Sequence, residues 1–170
     1  MNSQRLVESL YYELVATSIM EMSKDEQKIE LEKLFQKYVD IPIIARAVLG
    51  KSWRTASTVQ RTLFVEAFKK YISNKYGRQF SEFKGTTLEI IKSRDTLTKA
   101  GVLVSTVVIV PGNQSLKVVW QVSDGSGSLK LIDIKVEGIS MLSTERQEFR
   151  SRLKKFDGSL GDLIIDISEQ

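Results

Sequence analysis

The sequence predicts an α+β fold, in which a curved four-stranded antiparallel sheet wraps a long helix and further helices lie before and after it. Three observations carry this. Apolar residues recur at helical spacing up to Phe83, the period changes to two after Gly85, and the alternating stretches are joined by short links rich in turn formers. Links that short join antiparallel neighbours, and helices, then a meander, then helices again is an α+β order.

The elements follow in turn. Leu6, Val7, Leu10, Tyr11, Leu14, Val15, Ile19 and Met22 define a first amphipathic helix. Ser23-Lys24-Asp25-Glu26 reads as a capping box opening a second, whose apolar face is Leu31, Leu34, Phe35 and Tyr38. Asp40 is placed to cap a short helix with Pro42 in its first turn, ending at Gly50. Ser57-Thr58-Val59-Gln60 is another capping box. The helix it opens is expected to run to about Phe83, with a wide stripe that includes Phe64, Phe68, Tyr71, Ile72, Tyr76 and Phe80, and to stop at Gly85.

Strands are expected at about Thr86 to Arg94, Val102 to Val110, Ser115 to Ser123 and Ser128 to Val136. The breaks are Asp95 to Gly101, Pro111-Gly112-Asn113 and Asp124-Gly125-Ser126-Gly127. In the third strand Leu116, Val118, Trp120 and Val122 share one face and Lys117, Val119, Gln121 and Ser123 the other. The second strand is apolar on both faces, which places it centrally. A helix from about Leu142 to Lys155 and a short apolar segment, Leu160 to Ile167, close the chain. The expectation is one domain over residues 1–170, with 1–56 a largely helical subdomain and 57–170 the α+β roll with its C-terminal helices.

Composition narrows the function. A chain of 170 residues suits one domain, and a net charge of +4 is too weak to argue for nucleic acid. There is no cysteine and no histidine, which removes disulfides, thiol chemistry, the commonest general base and the commonest transition-metal ligand. Catalysis would have to rest on Asp, Glu, Lys, Tyr or Ser. No apolar run approaches the roughly 20 residues that span a bilayer. Met1 to Arg5 lacks the features of a signal peptide, so the chain reads either as cytosolic or as a mature form with an added Met.

Among candidate sites, the aromatic stripe with Trp120 opposite serves equally as core packing or as the wall of an apolar pocket. Of the carboxylates, Asp133 and Glu137 sit on or just past the last strand and Asp95 lies in a loop, and Asp133 is expected to accept a hydrogen bond or to pair with a base such as Arg146. Two basic clusters, one of Arg146, Arg150 and Lys154 with Arg152 and Lys155, the other of Lys69, Lys70, Lys75 and Arg78, have the spacing of solvated helix faces. Gly125-Ser126-Gly127 is a hairpin turn without the strand–loop–helix context of a phosphate cradle.

Several motifs in order carry a resemblance. Val39-Asp40-Ile41 leads to Ala45-Arg46-Ala47-Val48-Leu49-Gly50-Lys51, then Trp53-Arg54 and Ala56; Gln60-Arg61, Phe64-Val65, Ala67-Phe68 and Tyr76 follow. Later come Leu131-Ile132-Asp133-Ile134, Val136-Glu137-Gly138-Ile139-Ser140, Arg146 with Phe149, and a closing stretch from Gly158 to Leu163. Together these resemble the MlaC family, the toluene-tolerance or ABC-transporter auxiliary-component proteins. The chain departs from the family where Val59 stands in place of a frequent proline and Leu129 in place of a common aromatic residue.

The resemblance implies a nuclear-transport-factor-like roll with an added helical subdomain. It implies a monomeric periplasmic carrier that shuttles phospholipid between an outer-membrane lipoprotein complex and an inner-membrane ABC transporter with an MCE-domain subunit. No enzyme activity, cofactor, metal or nucleic acid enters that expectation; the ligand is the phospholipid itself. The acyl chains are then expected against Val48, Phe64, Phe68, Tyr71, Ile72, Val104, Val118, Trp120, Ile134 and Val136, with the head group at the mouth near Lys or Arg. Gly50, Trp53, Arg54, Asp133, Gly138, Arg146 and Phe149 are expected to be structural, with Trp53 wedging its turn against the long helix and Arg54 tied to a carboxylate or to carbonyls. Two other classes remain: a small isomerase or dehydratase with a carboxylate and a tyrosine in an apolar pocket, and an interaction module using the outer sheet face, against which Lys117, Gln121 and Ser123 argue.

Overall fold

Side-chain caps set the helix starts. The computed structural model describes residues 2–77, 79–98 and 101–169. Helix α1 (Ser3–Ser18) opens with Arg5 N donating to Asn2 Oδ1 at 2.9 Å, and α2 (Lys24–Tyr38) with Glu26 N donating to Ser23 Oγ at 3.2 Å. Asp40 caps α3 (Ile41–Leu49), its Oδ1 accepting from Ile43 N at 3.2 Å, and Pro42 sits where no intrahelical N–H is needed. The chain reverses at Gly50, whose φ of 56° suits glycine, into the single turn of α4 (Lys51–Thr55). Helix α5 (Thr58–Gly77) starts with a complete capping box: Gln60 N donates to Ser57 Oγ and Ser57 N to Gln60 Oε1, both at 3.1 Å.

Helix α5 stops at Gly77 rather than near Phe83. A Cβ at Gly77 would stand 3.0 Å from Leu31 Cδ1, so glycine lets α2 and α5 approach there, and glycine is also a poor helix former. A 3₁₀ turn at Phe80–Phe83 then leads to the sheet.

The sheet has five strands in sequential antiparallel order: β1 (Thr87–Thr98), β2 (Gly101–Ile109), β3 (Leu116–Ser123), β4 (Lys130–Val136) and β5 (Ile139–Ser140). This corrects the expected four. The fifth exists because Glu137 and Gly138, with φ of 50° and 81°, make a two-residue turn with both central φ values positive, which folds Ile139 back onto Val136. β1 also continues to Thr98, through the expected break at Asp95; its register slips between Ile90 and Lys92 and between Arg94 and Thr98 interrupt the alternation. The remainder of that break, Lys99 and Ala100, lies outside the described residues.

Val102, Val104, Thr106 and Val108 of β2 and Val118, Trp120 and Val122 of β3 turn inward and are buried. The other face of β2 is uncovered, leaving Leu103 at 41% and Ile109 at 39% exposure, so its two-sided apolar pattern does not mark a strand covered on both faces. Helix α6 (Met141–Lys155) begins directly from β5, capped by Ser140 Oγ accepting from Ser143 N at 3.1 Å, and packs on α3; α7 (Leu160–Ser168) packs on α5. The N-terminal helices join the sheet through a parallel bridge of Val39 to Leu131, where Asp40 N donates to Leu131 O at 2.9 Å, and through the Ser126 hydroxyl, which donates to Asp40 Oδ2. One apolar core runs from Leu6 to Ile167 through both halves of the chain.

Candidate functional site

Alternation along β3 and β4 aims apolar side chains at helices that do not fill the space above them. The result is a cavity of about 830 Å³. Leu116, Val118 and Trp120 of β3 and Leu131, Ile134 and Val136 of β4 form its sheet wall. The helical wall is Leu10 and Leu14 of α1, Phe35 of α2, Ile44 of α3, Phe68, Ile72 and Tyr76 of α5, and Met141 and Leu142 of α6. Gln79, Glu82, Asn113 and Gln114 are exposed members of the lining and mark the open end. Trp120 presents its ring while its Nε1 donates to Thr106 Oγ1 at 2.9 Å, and that hydroxyl donates on to Val118 O at 2.7 Å, so no polar atom of the indole is left unpaired.

Six of the expected lining residues meet here: Phe68, Ile72, Val118, Trp120, Ile134 and Val136. Four do not. Phe64 stacks on Phe68 at 5.6 Å between centroids and meets Phe149 edge-on at 5.8 Å, so it is held in the packing between α5 and α6. Tyr71 stands perpendicular to Phe149 at 5.2 Å. Val104 is fully buried opposite Trp120 in the β2–β3 ladder, and of that pair the indole reaches the cavity. Val48 lines a different concavity, between α3 and α6. Among the described lining residues there is no lysine or arginine to serve as the expected cation at the mouth.

Two carboxylates reach the cavity from its inner side. Asp133 Oδ1 accepts from Ile134 N at 2.8 Å and Leu142 N at 3.0 Å, and Oδ2 accepts from Ser140 Oγ at 2.6 Å. It ties the start of α6 to β4. Arg146 is exposed on a different concavity, and the partners of Asp133 are instead two backbone amides and the Ser140 hydroxyl. Glu145 is buried, with Oε1 accepting from Tyr76 Oη at 2.5 Å and Lys75 Nζ at 2.7 Å, and Oε2 from Tyr71 Oη at 3.2 Å. Burial and then the Glu145 carboxylate push the Tyr76 and Tyr71 hydroxyls above their ordinary range. Burial is the largest single influence on the Lys75 ammonium and lowers it, but the hydrogen bond and charge of Glu145 together with Tyr71 outweigh it and raise the lysine. Glu145 was not anticipated as a site residue, although its signal was legible: it shares a helix face with Leu142 and Phe149, an acid at apolar spacing.

At the Gly50 corner Trp53 meets the long helix as expected, whereas the Arg54 side chain does not take the expected carboxylate or carbonyl partner among the described residues. Trp53 is half-buried, and the partner that holds it is Arg61 of α5, whose Nε donates to Trp53 O at 2.9 Å while its guanidinium lies 5.2 Å from the indole. Arg54 is exposed, and among the described residues its side chain has no partner while its carbonyl accepts from Arg61 Nη2 at 3.4 Å. Gly138 forms the β4–β5 turn and Phe149 centres the aromatic packing. Of the basic clusters, Lys69 pairs with Glu66 at 3.2 Å and Arg152 with Glu148 and Asp166 at 3.0 and 2.9 Å, whereas Arg78 lies outside the described residues. Among the described residues no group of acids is placed to hold a metal, and no helix is long and apolar enough to cross a membrane.

The family profile described as MlaC protein matches residues 6–168. In three dimensions the chain is similar to a phospholipid-binding protein from Ralstonia solanacearum solved in complex with a phospholipid. The TM-score is 0.81 at 18% identity, over 99% of this chain and 96% of that one. At that identity the likeness is one of fold.

Proposed function

The chain belongs to the MlaC family, and from that premise we propose that it is a periplasmic phospholipid carrier that holds acyl chains in the cavity between sheet and helices. It passes lipid between an outer-membrane lipoprotein complex and an inner-membrane ABC transporter with an MCE-domain subunit. The observation that carries the reading is the cavity itself: about 830 Å³, apolar along most of both walls, with polar groups at its exposed end, at Thr86 and around two acids that each accept three hydrogen bonds. Acyl chains ask for such a space, because about ten buried methylenes contribute about 8 kcal/mol without any directional contact. The head group then meets the amides of Gln79, Asn113 and Gln114 at the open end.

An isomerase-like reading finds less support. Asp133 and Glu145 do lie against an apolar pocket, but each already accepts three hydrogen bonds that tie it to neighbouring elements, leaving about one of its four lone-pair sites for a substrate proton.

Native mass spectrometry followed by denaturation tests the proposal. Wild-type protein is expected to release a phospholipid mass, and Val118→Trp and Ile134→Trp, each filling the cavity from a different strand, are expected to fold and to release little. Undiminished lipid in both folded variants, or an apo mass with no uptake from vesicles, would refute it.

A further inference from the structure

A second concavity, of about 690 Å³, lies between the α3–α4 corner and α6 and shares no lining residue with the apolar cavity. Its floor is apolar, made by Val48, Leu49 and Leu153, all buried. Its walls are cationic: Lys51 and Arg54 on one side, Arg146, Arg150 and Lys154 on the other, all exposed, against the single acid Asp157. That is five cations and one acid, on a chain whose net charge is +4 in all.

None of these five side chains has an ion-pair or hydrogen-bond partner among the described residues, whereas Lys69, Lys75 and Arg152 nearby on α5 and α6 each have an acid. A cation left in solvent on a helix face is ordinary. Five from two elements converging on one groove with an apolar floor form a surface of definite chemistry. Arg146, Arg150 and Lys154 follow one another at four-residue intervals, a ladder about 12 Å long. Carboxylates at the same intervals on a second helix would match it rung for rung.

We propose that this groove docks an acidic amphipathic helix of a partner protein, with apolar side chains on the Val48–Leu153 floor and carboxylates against the two cationic walls. The concave shape favours a helix over an anionic membrane surface, since a bilayer plane would meet the rims and leave the floor unfilled.

The test uses the full chain, isotope-labelled for NMR, titrated with a synthetic helical peptide of about five turns carrying glutamates at four-residue intervals and leucines on the other face. Vesicles of phosphatidylcholine with and without phosphatidylglycerol form the second arm. Peptide is expected to shift the amides of α4 and of the C-terminal half of α6, and to weaken about tenfold or more as salt is raised. Arg146→Glu/Arg150→Glu and, from the opposite wall, Lys51→Glu/Arg54→Glu are each expected to cut its affinity by about tenfold or more. Both change exposed positions, melting curves verify that they fold, and their phospholipid content should stay at the wild-type level, which separates docking from lipid carriage. Absence of peptide binding, shifts elsewhere, or unchanged affinity in either folded variant would overturn the proposal. So would phosphatidylglycerol-dependent vesicle binding that these substitutions abolish while peptide has no effect, which would assign the groove to a membrane.

Discussion

Glu145 accepts from two tyrosines and a lysine with its side chain only 4% exposed, and an ionised carboxylate taken from water loses several kcal/mol unless such donors surround it. Its neighbours therefore tie stability to alkaline pH. Tyr76, Tyr71 and Lys75 all hold their protons more tightly when folded than when unfolded. The unfolded chain begins to release protons first as pH passes about 10, the ordinary tyrosine value. It then binds fewer protons than the native state, so the stabilisation is complete below that pH and declines above it. Urea unfolding across pH is expected to show this decline. Glu145→Ala is expected to lower stability at neutral pH by about 2–3 kcal/mol and to make the alkaline decline shallower; a variant as stable as wild type would show that the cluster contributes nothing. The residue-scale reading of the sequence separated strand positions well, because alternation sends Val118, Trp120 and Ile134 to one side. It could not separate helix positions: Phe64 and Phe68 sit four apart on one stripe and both pack against Phe149, yet only Phe68 lines the cavity.

At the scale of elements, caps and breakers were legible and irregular strands were not. Ser23, Asp40 and Ser57 start helices by mechanisms visible in the residues themselves. The close approach of α2 and α5 rests on Gly77 facing Leu31, far apart in sequence, and β1 continues through register shifts that interrupt its period. β5 is two residues long, too short for any alternation to announce it. Glycine positions test the tightness of the sheet. Gly101, with φ of 89°, faces Val122 O so closely that a Cβ would stand 2.2 Å from it, whereas Gly112, with φ of 76°, has open space. Gly112→Ala then carries only the left-handed backbone penalty, about 1 kcal/mol. Gly101→Ala adds a clash with backbone of the neighbouring strand and is expected to cost about 2–3 kcal/mol. Equal melting temperatures for the two variants would mean that the β2–β3 pairing yields easily.

For the whole molecule, the cavity draws its walls from elements at both ends of the chain, from Leu10 on α1 to Glu145 on α6. A ligand bound there bridges them, so stripping lipid with detergent and exchange is expected to lower the melting temperature. Restoring phospholipid to about a hundred times its dissociation constant should return about 2.7 kcal/mol; identical melts with and without lipid would place the ligand elsewhere. The architecture was legible because helices and meander occupy separate stretches of sequence. The void was not, since a filled core and a lined cavity use the same residues. Its volume has a further consequence. Held rigid and dry, an empty space of about 830 Å³ would cost about 20 kcal/mol, beyond the 5–15 kcal/mol net stability of a typical domain. The unloaded protein is therefore a different object from the loaded one, either hydrated inside or drawn inward by its helices. On the proposed carrier role, inward movement of the helices on release would alter the outer shape of the molecule, whereas filling with water would leave it unchanged.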